Sequence, residues 1–284
     1  MKQRDCAFSH PHRCARSNYA GSKLNVPLAN SSRGPQQQFE LSIGCVPLRL
    51  QLSDTRLLSA VSARYAAFLE TAADPIQIDL NDSRALDAVP TEFAYQFEGA
   101  RLRASSGKVL FDRVTNEYAL DSLLRILLSW KLLECQGFLL HAATVIRDDA
   151  AYVFTGKSGA GKSTVAALSP PGSVLTDEIS LLRREHGEWR AYGTPFWGEF
   201  RAAGSNSSAP VVGIFRLLQA PENRATPLRP VQTLRALLPN VLFFSAESEA
   251  NRCLLEVLSQ AALEIPGYNR AFRKDPSFWG SLPG

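Results

Sequence analysis

The residues best suited to chemistry lie in one short run, Gly156-Lys157-Ser158-Gly159-Ala160-Gly161-Lys162-Ser163-Thr164. It carries the pattern G-x-x-x-x-G-K-[ST] without a mismatch, the phosphate-binding P-loop of nucleotide enzymes. The residue types answer chemical needs in order. Glycines let the backbone curl so that successive N–H groups converge on one anion, and a following helix N-terminus adds partial positive charge. Lys162 is expected to reach the β- and γ-phosphates of ATP, and the Ser163 hydroxyl to ligate Mg²⁺.

Fifteen residues beyond Lys162, Asp177-Glu178 closes an apolar run. Paired acids at a strand end suit a Mg²⁺ site, because that ion is held by one or two carboxylates plus phosphate oxygens. A second acid alongside can take a proton from an attacking hydroxyl or orient a water. Both Asp177 and Glu178 are therefore candidate metal ligands. His141 stands within an apolar strand pattern, where it is either a satisfied core residue or a group near the transferring phosphoryl. Glu199 is a candidate third acid or a surface glutamate, and Phe196-Trp197 reads as packing, with adenine stacking the alternative. Cys6, His10, His12 and Cys14 cluster near the start, but their spacing matches no standard zinc pattern.

These groups need particular elements behind them. Ala150-Ala151-Tyr152-Val153-Phe154-Thr155 is an apolar, β-rich run ending at the first glycine. Ser163 to Leu168 starts a helix that Ser169-Pro170-Pro171-Gly172 must end early. Ser173 to Glu178 reads as a strand whose carboxyl end, in a parallel sheet, would lie beside the phosphates. Residues 179–192 have a hairpin pattern turning at His186-Gly187-Glu188, which argues for a mixed sheet. Upstream, Asp121 is expected to cap a helix with a broad leucine face ending at Gly137, followed by a buried strand over 138–146. Residues 211–218 form a further core strand, and 230–239 and 246–263 are helical.

Three segments follow from this reading. Residues 1–38 are polar and basic, with Lys2, Arg4, Arg13, Arg16, Lys23 and Arg33 facing only Asp5, and are expected to be a disordered leader; a start codon assigned upstream of the true one is the alternative. Residues 39–118 alternate like α+β structure, with order beginning near Phe39. Residues 119–284 form the catalytic α/β domain, a mixed sheet with flanking helices around the P-loop.

The whole chain has 284 residues, 45% hydrophobic and 20% charged, with a formal net charge of +4. Since that excess sits largely in the leader, no nucleic-acid surface is implied. Five scattered cysteines without a C-x-x-C pair speak against a disulfide framework and for a reducing compartment. There is no apolar run long enough for a membrane span, so a cytoplasmic protein is expected. A homo-oligomer is compatible with the sequence.

His141 on a strand, a hairpin into the Gly-x-Ser-Gly-x-Gly-Lys-Ser loop, a short helix, and a strand ending in paired acids together resemble HPr kinase/phosphorylase. That family phosphorylates a serine on a small carrier protein, and its catalytic domain is similar to phosphoenolpyruvate carboxykinase. The chain is also similar to divergent HPr-kinase-like proteins of bacterial gene clusters, some of which phosphorylate small peptides. The resemblance covers residues 138–200. It implies that Asp177 deprotonates the acceptor serine, that Glu178 and Ser163 hold Mg²⁺, that Lys162 clamps phosphate, and that His141 assists the acid pair. The acids are Asp-Glu where the family has Asp-Asp, and Pro266-Gly267-Tyr268-Asn269 is only weakly similar to its C-terminal Pro-Gly-x-Asn.

The expected activity is therefore transfer of the γ-phosphoryl of ATP to a hydroxyl, that of a serine on a small protein or peptide. The alternatives are a P-loop NTPase in a regulatory or peptide-modification assembly, with Glu178 activating water, and a non-catalytic nucleotide-binding partner.

Overall fold

The structure is a computed structural model, and the description concerns residues 37–52, 55–80, 93–97, 100–105, 108–198 and 204–282. Two sheets organise it. The first contains β1 (Gln37–Ile43), β2 (Val46–Leu52), β3 (Ile76–Leu80), β4 (Phe93–Phe97), β5 (Ala100–Ser105) and β6 (Lys108–Asp112), with helix α1 (Thr55–Arg64) between β2 and β3. Its strand order is β1-β2-β3-β6-β5-β4. Strict alternation in β2 buries Val46, Leu48, Leu50 and Leu52. Gln37 and Gln38 pair with Leu52 and Gln51, so ladder hydrogen bonds carry β1 two residues ahead of Phe39, where order was expected to begin.

Helix α2 (Glu117–Glu134) joins the two sheets. It packs against β4 and β5 on one side, and on the other against β7 (Gly137–Arg147), the first strand of the second sheet. Contact on both sides explains why its leucine face is so broad. Leu120, Leu123, Leu124, Leu127, Leu128 and Leu132 are all buried, each contributing about 1.5–3 kcal/mol. Asp121 does not cap this helix. Asn116 does, its side chain accepting the Ala119 N–H at 2.8 Å, which leaves Asp121 in the second turn facing inward.

The second sheet continues with β8 (Ala150–Thr155), β9 (Val174–Thr176), β10 (Ile179–Glu185), β11 (Glu188–Tyr192), β12 (Ser208–Gln219), β13 (Arg224–Leu228), β14 (Val241–Leu242) and β15 (Gly267–Phe272). Helices α3 (Lys162–Ala167), α4 (Pro230–Leu237) and α5 (Ser248–Glu264) flank it. The order is β11-β10-β7-β8-β12-β15-β13, with β9 and β14 also on β7. The first residues of β12 also pair with β11, so the path returns on itself. β8 is antiparallel to β7 but parallel to β12, and β12 is parallel to β15, giving a mixed α/β architecture. No helix among the described residues is long and apolar enough to cross a membrane.

Candidate functional site

The glycine-rich run forms the turn between β8 and α3. Gly156, Gly159 and Gly161 all take positive φ (152°, 76° and 115°), conformations that L side chains rarely adopt. Lys157, Ser158 and Ala160 complete the curl, and α3 starts at Lys162 and ends after Ala167, ahead of Pro170-Pro171. The Lys162 side chain turns back into the loop. Its ammonium donates to the carbonyls of Gly156 (2.9 Å) and Lys157 (3.4 Å). Burial lowers its pKa, against an opposing contribution from the Glu178 charge. Ser163 and Thr164 follow on the first turn of α3, half-buried.

Asp177 and Glu178 occupy the break between β9 and β10. The strand that precedes them was expected, in a parallel sheet, to bring its carboxyl end beside the phosphates. β9 pairs antiparallel with β7, which is itself antiparallel to β8. It therefore runs parallel to β8 but one strand removed, and the parallel neighbour of β8 is β12. The β7–β8 hairpin is the cause: it puts β7 between β8 and the strand carrying the acids. The acids still come close to the loop, because neighbouring residues of β7 pair with both segments: Ala142 with Thr155, just before Gly156, and His141 with Ile179, just after Glu178.

A buried lattice of hydroxyls holds this break. Thr176 Oγ1 and Thr194 Oγ1 both donate to the Ile179 carbonyl, at 3.0 and 2.7 Å. Ser180 Oγ donates to the Ala142 carbonyl at 3.0 Å, so the hydrogen of its 2.7 Å contact with Thr144 comes from the threonine. The Ala142 N–H bonds the Glu178 carbonyl at 3.1 Å. These bonds tie the Glu178 carbonyl to β7 and the Ile179 carbonyl to the two threonines.

The two acids differ in surroundings. Glu178 is a third exposed, and His141 Nδ1 lies 3.3 Å from its Oε1. The His141 hydrogen bond is the main cause holding the Glu178 carboxyl below the ordinary carboxylate range; burial opposes it, and the charges of His141, Arg125 and Lys162 add to it. Asp177 is 5% exposed and accepts the Gly198 N–H at 3.2 Å. Gly198 presses on both acids: a Cβ there would fall 2.7 Å from Glu178 Oε2 and 3.1 Å from Asp177 Oδ2. His141, Lys162, Asp177 and Glu178 are thus drawn into one neighbourhood. Glu199 and the Cys6–Cys14 cluster lie outside the described residues.

A second set of groups adjoins the acid pair and was not recognised in the sequence. Asp121 forms a buried ion pair with Arg64 and accepts a hydrogen bond from the Tyr65 hydroxyl. Burial, then the Asp121 charge, push the Tyr65 phenol well above its ordinary value. Arg125 follows one helical turn later, its guanidinium 5.0 Å from the Phe196 ring centroid. One signal was available. An aspartate between Leu120 and Leu123-Leu124 faces an apolar interior and demands a partner, though not the identity of that partner.

Comparison with known proteins gives three results. A family model described as "SynChlorMet cassette protein ScmC" matches residues 118–262, 145 of the 284 residues. No curated protein matches the chain. Among solved structures, the HPr(Ser) kinase/phosphatase from Coxiella burnetii is 14% identical, over 43% of this chain and 87% of that one. Its TM-score of 0.25 is too low for the likeness to bear on function.

Proposed function

The chain belongs to the ScmC family, and we propose that it is a cytoplasmic, ATP- and Mg²⁺-dependent kinase transferring the γ-phosphoryl group to a hydroxyl, that of a serine in a small protein or peptide. The observation that carries this reading is the convergence of the glycine-rich turn and the acid pair on β7, where Ala142 pairs with Thr155, the residue before Gly156, and His141 pairs with Ile179, the residue after Glu178. The residues of the turn, Gly156 to Thr164, supply backbone N–H groups and one ammonium for the phosphates. Lys162 leaves its two backbone carbonyls to bind the β- and γ-oxygens.

The donors fit magnesium. Glu178, Asp177 and the Ser163 hydroxyl are hard oxygen ligands, and the described residues hold no group of three or more His, Cys, Asp or Glu side chains suited to a protein-only metal cage. That composition matches an ion held by one or two carboxylates plus phosphates. When bound, Mg²⁺ neutralises charge on the β- and γ-oxygens. Glu178 serves as its ligand, kept ionised by the His141 hydrogen bond. Asp177 accepts the proton of the acceptor hydroxyl. The acceptor oxygen then forms its bond to the γ-phosphorus as the bond to the β–γ bridging oxygen breaks and ADP leaves.

Incubation with ATP and Mg²⁺ and a set of small proteins and peptides, followed by intact mass, tests the reading. An acceptor gaining one phosphoryl group, abolished by Lys162→Ala, is the expected result. Phosphate release with no acceptor modified would replace it with an NTPase, and ATP binding without either reaction would replace it with a nucleotide-binding partner.

A further inference from the structure

A cavity of about 250 Å³ opens beside the acid pair. Gly198 belongs to both places, since it lines the cavity while its N–H bonds Asp177. Trp197 and Tyr118 supply aromatic walls, and Arg64 and Arg125 supply the charge. Against these two cations the lining has one carboxylate, Asp121.

Arg64 is 3% exposed, yet it spends only part of its donor set. One terminal nitrogen pairs with Asp121, while Nε and Nη1 find no hydrogen-bond partner among the described residues. Its guanidinium lies 4.1 Å from the Trp197 ring centroid and 5.5 Å from that of Tyr118. Arg125 Nε is likewise buried without a partner among the described residues. Desolvated donors without partners are costly, and a protein interior rarely keeps several together. An anion drawn into the cavity against these guanidiniums would offset that cost. The fork of a guanidinium matches a carboxylate best in shape and charge.

Size and position narrow the occupant. Pockets for drug-sized ligands start at about 300 Å³, so this one suits a small compound or a single terminal residue. Because Gly198 lines the cavity and its N–H bonds Asp177, a group held here lies against the residue that covers the acid pair.

We infer that this cavity binds a carboxylate of the phosphoryl acceptor, so that the acceptor is a compound with a hydroxyl a few atoms from a carboxylate, either a free hydroxy acid or the C-terminal residue of a peptide. The inference rests on the kinase reading for the word acceptor, and on the cavity alone for the carboxylate. Arg125 is the positioning residue of choice, because Arg64 is committed to its buried pair with Asp121.

The test is saturation-transfer NMR on the full chain with glycolate and its neutral counterpart glycolamide, then with glycylserine and glycylserinamide. The acids should bind saturably and at least about tenfold more tightly than the amides. Arg125→Leu should remove that preference while leaving binding of a non-hydrolysable ATP analogue unchanged, and Arg125→Lys should restore part of it. Equal binding of acid and amide, or no saturation by any of the four, would overturn the inference. Adding ATP and Mg²⁺ separates the two proposals. Selective binding of the acids with no transfer to any acceptor would remove the kinase and keep the carboxylate site. Equal transfer to acid and amide would keep the kinase and remove the site.

Discussion

Two regions flank the Asp177–Glu178 pair, and they are built in opposite ways. The glycine-rich turn is made of backbone, from contiguous residues, and spends its one buried cation on its own carbonyls. The Arg64–Arg125 cavity is made of side chains; Arg64 and Asp121 lie 57 positions apart, and donors of both arginines remain unspent. The contrast teaches that a backbone site can be specified by local spacing and satisfied by local bonds. A side-chain site exists only once distant elements have packed, and its excess charge then shows what it lacks.

The largest effect that would sharpen this contrast is at the shared acid pair. Asp177→Asn should lower phosphoryl transfer by about 10²–10⁴-fold, as for loss of a general base, with nucleotide binding retained in a titration. Full transfer by that variant would remove Asp177 as the base. On the cavity side, Asp121→Ala strands Arg64 as a buried unpaired cation. It should cost about 3–5 kcal/mol of stability by urea denaturation, far beyond a surface pair. A loss below about 1 kcal/mol would mean that water reaches Arg64.

On the turn side, Lys162→Ala should reduce kcat by about 10²–10³-fold, as when a charge-stabilising donor is removed, while the melting temperature changes little. A collapse in stability instead would make the lysine a structural clip for the Gly156 and Lys157 carbonyls. The smallest effect is His141→Gln, about 10–100-fold in activity, the range for losing the partner of a metal-ligating carboxylate, which is the role proposed for Glu178. The sign in pH follows from Glu178. Its carboxyl is held below the ordinary value of 4.5 when folded. It therefore stabilises the fold above that ordinary value, and this contribution is lost as pH falls through the lower folded value. Removing the His141 bond should raise the Glu178 pKa, so the acid limb of the pH–rate profile should move to higher pH. An unmoved limb would detach His141 from Glu178 function.

What could be read in the chain beforehand divides along the same line. Elements with strong local patterns arrived where their periodicity placed them, such as β2 with its alternating burial and α5 over Ser248–Glu264. The proline pair at 170–171 ended α3 after Ala167, as that residue type requires. Long-range choices were not legible. Nothing near Ser173–Glu178 says that β9 will pair with β7 rather than with β8, since strand partnership is decided across the sheet. Asp121 was mistaken for a cap because a capping residue and a buried ion-pair partner are the same residue type; only the presence of Arg64 and Tyr65 opposite distinguishes them. The cavity was invisible for that reason.

One further consequence follows from how α2 lies between the sheets. Leu41, Leu50 and Phe111 of the first sheet share a single apolar cluster with Leu139, Leu181 and Tyr192 of the second, and Arg183 Nη1 donates to the Gly44 carbonyl at 3.0 Å. The two sheets are therefore poor modules for exchange. A chimera that takes residues 39–118 from one relative and the remainder from another would have to match dozens of side-chain volumes at once. Divergence within the family should accordingly favour correlated changes across the seam over the shuffling of halves.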